Sequence, residues 1–285
     1  MYKVFTDLDA DEADLYGLVL SSSDVTYHVK RGGHGWEVYV RDTDYEKALD
    51  TIAEYLSENR DGHLVEEVRS FEYGRTFSAL WVSVILVALH VALVLNRESG
   101  SFIQTYGLAV NEVLHGELYR TITSLFIHAD TLHLAGNVLG IAVFCTAVCR
   151  ITGPGVGWLM ILITGLGGNL MNAFLYRSHH LSIGSSTAVF GAVGILAGYQ
   201  FLKKLRPPGR QNKAWLPLAA GLALLAFLGA GKHADLTAHL FGFFVGIVIG
   251  AIYAFLATRP GGKLCQASSL AITVLLVVTA WARAF

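Results

Sequence analysis

The sequence predicts a polytopic α-helical membrane protein with a small N-terminal α+β cytoplasmic domain. Three observations carry this. Of 285 residues, 53% are hydrophobic and only 15% charged, too apolar for an ordinary soluble protein. From Phe77 onward, apolar segments of roughly 18–20 residues recur, each long enough to cross the hydrocarbon core. The charge is also divided. Residues 1–70 hold 16 acidic and 7 basic side chains, whereas residues 71–285 hold 6 acidic and 14 basic ones. An acidic head thus precedes a weakly basic, apolar body.

In the head, KVFTD reads as a strand and DADEADLYGLVLSSSD as an amphipathic helix. VTYHVK and WEVYV alternate around GGHG, which predicts a hairpin. TDYEKALDTIAEYLSEN starts on a Thr/Asp cap and has apolar residues at helical spacing. The domain is therefore expected over 1–65 as a βαββα unit, with a linker over 66–76. MYKVFTDLDADEADLY has no apolar segment of a secretory leader, so the head is expected to stay where it is synthesised.

Seven spans are expected, near 77–95, 132–150, 156–176, 185–202, 214–231, 235–257 and 266–284. The fourth and fifth are short and contain glycine. Their loops fix an orientation by the positive-inside rule. Arg75, Arg150, the group Lys203, Lys204, Arg206, Arg210 and Lys213, then Arg259 and Lys263, fall on the side of the head. The other side holds scattered cations such as Arg97, Arg120, Arg177 and Lys232. This puts the N-terminus in the cytoplasm and the C-terminus outside. The connection over 96–131 is semi-apolar and is expected to be a structured loop lying partly in the interface. Cys145, Cys149 and Cys265 form no disulfide framework, and the first two read as buried small hydrophobes.

Polar groups inside spans are costly and mark function. Ser185 and Ser186 begin the fourth span at its outer end, and His239 lies about one turn into the sixth. His133 and Asn137 open the second span, with His128 just before them. Three distant segments thus bring Ser, His and Asn to one depth. Acyl transfer needs a serine activated by a neutral imidazole and donors aimed at a developing oxyanion. This set supplies both, and Gly184 permits close approach to the serine. Ser186 stands second after Gly184 in G-x-S and is the better nucleophile of the pair.

GSST at 184–187, AHLFGFFVG at 238–246, HADTLHLAGN at 128–137 and YR at 119–120 together resemble the rhomboids, the family of intramembrane serine proteases. The resemblance covers roughly 77–260 and implies a rhomboid-like helical bundle: a six-span core over 77–260, with 261–285 as an additional C-terminal helix. It implies Ser186 as nucleophile and His239 as general base and acid. His133, Asn137 and the Ser186 N–H become oxyanion donors. His128 would order the outer loop and its water access, and Gly242 and Gly246 would let the sixth helix press on the fourth. Arg120 belongs to the loop motif, and Phe190 to the ring that stacks on the histidine. The chain departs from the usual pattern at Thr187, commonly Gly, at Phe190, often Tyr, and at Tyr119, usually Trp.

The short loops and compact head point to a protein of the bacterial inner membrane, and the resemblance implies a protease there. Its partners are the lipid bilayer and transmembrane substrates with helix-destabilising residues. No cofactor, metal or nucleic acid is expected. The sequence leaves open whether the acidic head regulates, binds an unidentified partner or adds mass. His179 and His180 read as solvated loop residues, and Asp235 as a helix cap rather than a third catalytic member. Two other readings stay open: a metal-dependent membrane enzyme or transporter using His128, His133, His179, His180 and His239, or an inactive rhomboid-like chaperone.

Overall fold

The computed structural model describes residues 1–58, 76–177, 180–205, 213–229, 235–257 and 261–284. The chain divides into two units, Met1–Arg69 and Ser70–Phe285. The expected linker over 66–76 lies outside the described residues apart from Thr76. So do His179 and five of the orienting cations, Arg75, Arg206, Arg210, Lys232 and Arg259.

The first unit follows the βαββα order: β1 (Tyr2–Leu8), α1 (Ala10–Ser22), β2 (Tyr27–Arg31), β3 (Trp36–Val40) and α2 (Tyr45–Glu58). The sheet order is β1-β3-β2, with both pairings antiparallel. Alternation along the central strand sends Val38 and Val40 into the core beside Leu20, Ala48 and Ile52. Asp9 starts α1 through a capping box: its carboxylate accepts from the Glu12 N–H at 2.7 Å, and the Glu12 carboxylate accepts from the Asp9 N–H at 3.0 Å.

The second unit is a helical bundle. Its long helices are α3 (Ser78–Leu95), α7 (Thr131–Thr152), α8 (Pro154–Tyr176), α9 (Ser186–Leu205), α10 (Leu216–Leu228), α11 (Leu236–Leu256) and α12 (Lys263–Ala284). A π turn over Ile141–Cys145 interrupts α7. Among the described residues, α3, α7, α8, α11 and α12 are long and apolar enough to cross a membrane. The fourth and fifth expected spans fall outside that set for different reasons. Helix α9 is buried along most of its length, so lipid does not select its composition. Helix α10 has 13 residues, about 20 Å of rise against a core of about 30 Å.

Helices α9 and α11 pack closest, because glycines replace side chains at their crossing. A Cβ on Gly194 would strike the Phe243 carbonyl, one on Gly198 the Ile247 carbonyl, and one on Gly246 the Gly191 carbonyl. Such small-residue seams let backbones approach closely where lipid supplies no hydrophobic drive.

The 96–130 connection is structured. It holds α4 (Ser99–Tyr106), β4 (Leu108–Ala109), α5 (Val110–Leu114) and α6 (Arg120–Thr123). Strand β4 pairs antiparallel with β5 (Leu181–Ser182), the segment that leads into Gly184. The Gly184 N–H donates to the Ser124 carbonyl at 2.9 Å and the Val110 N–H to the His180 carbonyl at 3.0 Å. Helix α12 is held at both ends. Gln266 Oε1 accepts from the Gly155 and Val156 N–H groups at 2.9 and 3.0 Å, and its Nε2 donates to the Thr152 carbonyl at 2.8 Å. At the far end, Trp281 packs among Phe102, Tyr106 and Phe126 of the connection.

Candidate active site

Ser186 opens α9 directly after Gly184 and Ser185. Gly184 has φ +113°, a conformation that side chains resist. A Cβ there would lie 2.7 Å from both Cε1 and Nε2 of His133. The turn therefore needs glycine twice, for its backbone angle and for the imidazole against it. His239 sits on the first turns of α11 and is buried, 3% exposed. Its Nε2 lies 2.6 Å from Ser186 Oγ. Gly242 makes this contact reachable: a Cβ there would collide with the Thr187 carbonyl, so α11 can lie directly on the start of α9.

The other ring nitrogen fixes the tautomer. His239 Nδ1 donates to the Gly229 carbonyl across 3.1 Å, which leaves Nε2 as the acceptor facing the serine hydroxyl. Phe190, one turn along α9, packs its ring 4.8 Å from the imidazole at 31°. A serine and an imidazole so arranged can transfer a proton as the hydroxyl attacks an electrophile.

The remaining predicted residues gather around this pair. His133 borders Gly184. Asn137 is buried and donates one amide N–H to the His133 carbonyl at 3.1 Å, leaving its second N–H for another acceptor. Asp130 caps α7 by accepting from the His133 N–H at 2.8 Å. His128 is buried, with Nε2 at 3.2 Å from Ser185 Oγ and its ring edge-on to His133 at 5.2 Å. Ser185 thus meets His128 and Ser186 meets His239, so the two adjacent hydroxyls have separate partners. Arg120 lies apart from the hydroxyls and organises the 96–130 connection. It donates to Glu117 at 2.6 Å and to the Gln104 and Gly107 carbonyls at 3.1 Å. The hydrogen bonds from Arg120 and Tyr119 hold the Glu117 carboxyl below its usual range.

Thr187, which the sequence leaves unexplained, fills the seam. It is buried, and its methyl group would touch a Cβ on Gly168 at 2.7 Å and one on Gly242 at 3.0 Å. Thr187 is a packing residue between three helices.

Sequence reasoning missed two groups. The Gly229 carbonyl carries no side-chain signal. His180, expected as a solvated loop residue, is instead engaged: its Nε2 contacts Asp235 Oδ2 at 2.6 Å, and its ring stacks on Tyr176 at 3.9 Å. The cause is the β4–β5 pairing, which holds the His180 backbone against the bundle. Asp235 caps α11 as expected, accepting from the Ala238 N–H at 3.1 Å. It also accepts from Asn172 Nδ2 at 2.6 Å and Thr237 Oγ1 at 2.7 Å. Burial pushes its carboxyl up, but the bonds from His180, the Ala238 N–H and Thr237 outweigh this and bring it to about 2. Among the described residues, no three His, Cys, Asp or Glu side chains converge as a metal-binding set.

Fold and site together define a polytopic helical membrane protein with a buried histidine and a half-buried serine paired at one end of its bundle. The family model of the rhomboid domain matches residues 115–255, and through this membrane unit the chain belongs to the rhomboid family. It is 29% identical over 147 residues to RHOMBOID-like protein 1 of Arabidopsis thaliana, covering 51% of this chain and 37% of that protein. It is 27% identical over 172 residues to the putative rhomboid protease YdcA of Bacillus subtilis, covering 60% and 81%. It is also 29% identical over 151 residues to inactive rhomboid protein 2 of Homo sapiens, covering 52% and 17%. The match spans little more than a third of the first of these relatives. The family thus contains both proteases and inactive members.

Proposed function

We propose that the chain is an intramembrane serine endopeptidase that cleaves transmembrane substrates near the outer membrane face. The observation that carries this reading is the 2.6 Å approach of His239 Nε2 to Ser186 Oγ, with Nδ1 committed to the Gly229 carbonyl. His239 takes the Ser186 proton as Oγ attacks the scissile carbonyl carbon. The tetrahedral oxyanion is met by His133, by the Asn137 amide and by the Ser186 backbone N–H at the start of α9. His239 then gives its proton to the departing amine, leaving an acyl-enzyme on Ser186. A water, deprotonated by the same imidazole, attacks the ester and frees the serine. His128, Arg120, Phe190, Gly184, Gly242 and Gly246 position these groups.

A peptide bond inside a helix is shielded by its own hydrogen bonds, so substrates carry helix-weakening residues such as Gly or Pro near the cut. The acidic head lies in the cytoplasm and the C-terminus outside, as the distribution of Lys and Arg supports, and the short loops and compact head support a bacterial inner membrane as the site.

The test is labelling of the purified chain with a fluorophosphonate. Ser186→Ala abolishes labelling, and His239→Ala lowers its rate by about a hundredfold or more. Ser185→Ala leaves Ser186 labelled, and chelators have no effect. Persistent labelling of Ser186→Ala, or an undiminished rate in His239→Ala, overturns the assignment. An intact chain that binds transmembrane peptides but takes no label belongs with the family's inactive members.

A further inference from the structure

Away from the serine, between α3 and α7, near the Leu95 end of one and the Thr131 end of the other, lies a cleft of about 380 Å³. Val87, Val91 and Val94 form one wall, and Leu134, Ala135 and Val138 the other. The lining is apolar apart from Thr131 at the mouth and His90 in the wall. His90 is 7% exposed, and its Nε2 has no hydrogen-bond partner among the described residues. An unsatisfied buried nitrogen is costly, more so in hydrocarbon.

We propose that this cleft binds one acyl chain of a glycerophospholipid, with its ester carbonyl accepting a hydrogen bond from His90 Nε2–H after a modest turn of the ring. Two arguments select this occupant. A transmembrane helix has its carbonyls bonded internally, and a cylinder about 10 Å across does not fit such a cleft. An acyl ester supplies one acceptor on an apolar chain, which matches one donor in an apolar wall.

The site also bears on the serine. Leu134 and Val138 of the cleft follow His133 and Asn137 directly on α7, and His128 lies within electrostatic reach of both His90 and His133. The π turn below gives this end of α7 a place to yield. The bound lipid thus sets the position of the helix that carries His133 and Asn137. The binding itself does not depend on the protease reading, and its test reads binding alone.

The full chain is placed in nanodiscs of phosphatidylethanolamine and phosphatidylglycerol. They contain a trace of diester phospholipid with a diazirine on its acyl chain, or the matching diether lipid that lacks the carbonyl. After photolysis, adducts are mapped by mass spectrometry. Adducts of the diester lipid concentrate on Val87–Val94 and Leu134–Val138, and the diether lipid gives about fivefold fewer. His90→Leu brings the diester lipid down to the diether level, His90→Gln keeps it high, and Ala135→Phe, which fills the cleft, removes both. Equal labelling by the two lipids in the unaltered chain overturns the proposal, and this comparison needs no variant to fold. Adducts spread evenly around the bundle also overturn it. So does displacement of the lipid by a transmembrane peptide, which assigns the cleft to substrate.

Discussion

Gly184 illustrates how tightly single positions are determined. Its φ of +113° and the imidazole of His133 both exclude a side chain. Gly184→Ala is expected to cost about 1–3 kcal/mol of stability, through strain in the turn. It should also lower fluorophosphonate labelling of Ser186 by about tenfold or more, because the turn aims the hydroxyl. Asp235 gives a second residue-scale expectation. Its carboxyl is held at about 2, below the unfolded value near 3.8. A depressed carboxyl stabilises the fold fully above its unfolded value and loses that contribution as pH falls through its folded one. Asn keeps the cap but not the charge. The difference in thermal midpoint between the native chain and Asp235→Asn should therefore hold above about pH 4 and close as pH falls towards about 2. A gap that closes between pH 8 and 6 would assign the effect to another group.

At the scale of elements, a single amide anchors the first turn of α12, while Trp281 packs its far end against the 96–130 connection. Gln266 accepts two of the N–H groups that the first turn of α8 cannot satisfy within its own helix. Gln266→Leu strands them in a buried place and should lower stability by about 2–3 kcal/mol, read as a fall in thermal midpoint in detergent. Leu264→Ala, a change at an exposed position, should leave it nearly unmoved. The elements also differ in how well the sequence announces them. Helices α3, α7, α8, α11 and α12 are legible because lipid forces length and apolarity on them together. Helix α9 is buried by protein, so its signal is a row of glycines rather than hydropathy. The two-residue strands β4 and β5 are invisible, since pairing so short depends on where the bundle brings the chain. That pairing decides His180, which is why a loop histidine proved to be a partner of Asp235. Ser186, His239, His133 and Asn137 could be singled out because polar groups at span ends stand out against hydrocarbon. The Gly229 carbonyl could not, because a backbone oxygen has no signal in sequence, and Thr187 stands out as a departure whose packing role depends on where α8 and α11 approach it.

At the scale of the whole molecule, the two units each carry their own apolar core, around Val38 in the first and around Ala192 and Ile195 in the second. Removing residues 1–69 is expected to leave the fluorophosphonate labelling rate in detergent within about twofold, as for separable domains. A loss of labelling would show that the acidic head is required to assemble the site. A substitution scan across the entire chain would also meet a limit set by the Gly229 carbonyl. Every amino acid brings the same carbonyl to that position, so replacing side chains tests the loop's shape but leaves the oxygen in place. Genetics would therefore count two members, Ser186 and His239, in a hydrogen-bonded series that has three. Counting the third calls for altering the peptide bond itself, for instance by converting the amide after Gly229 to an ester, a poorer acceptor with the same outline.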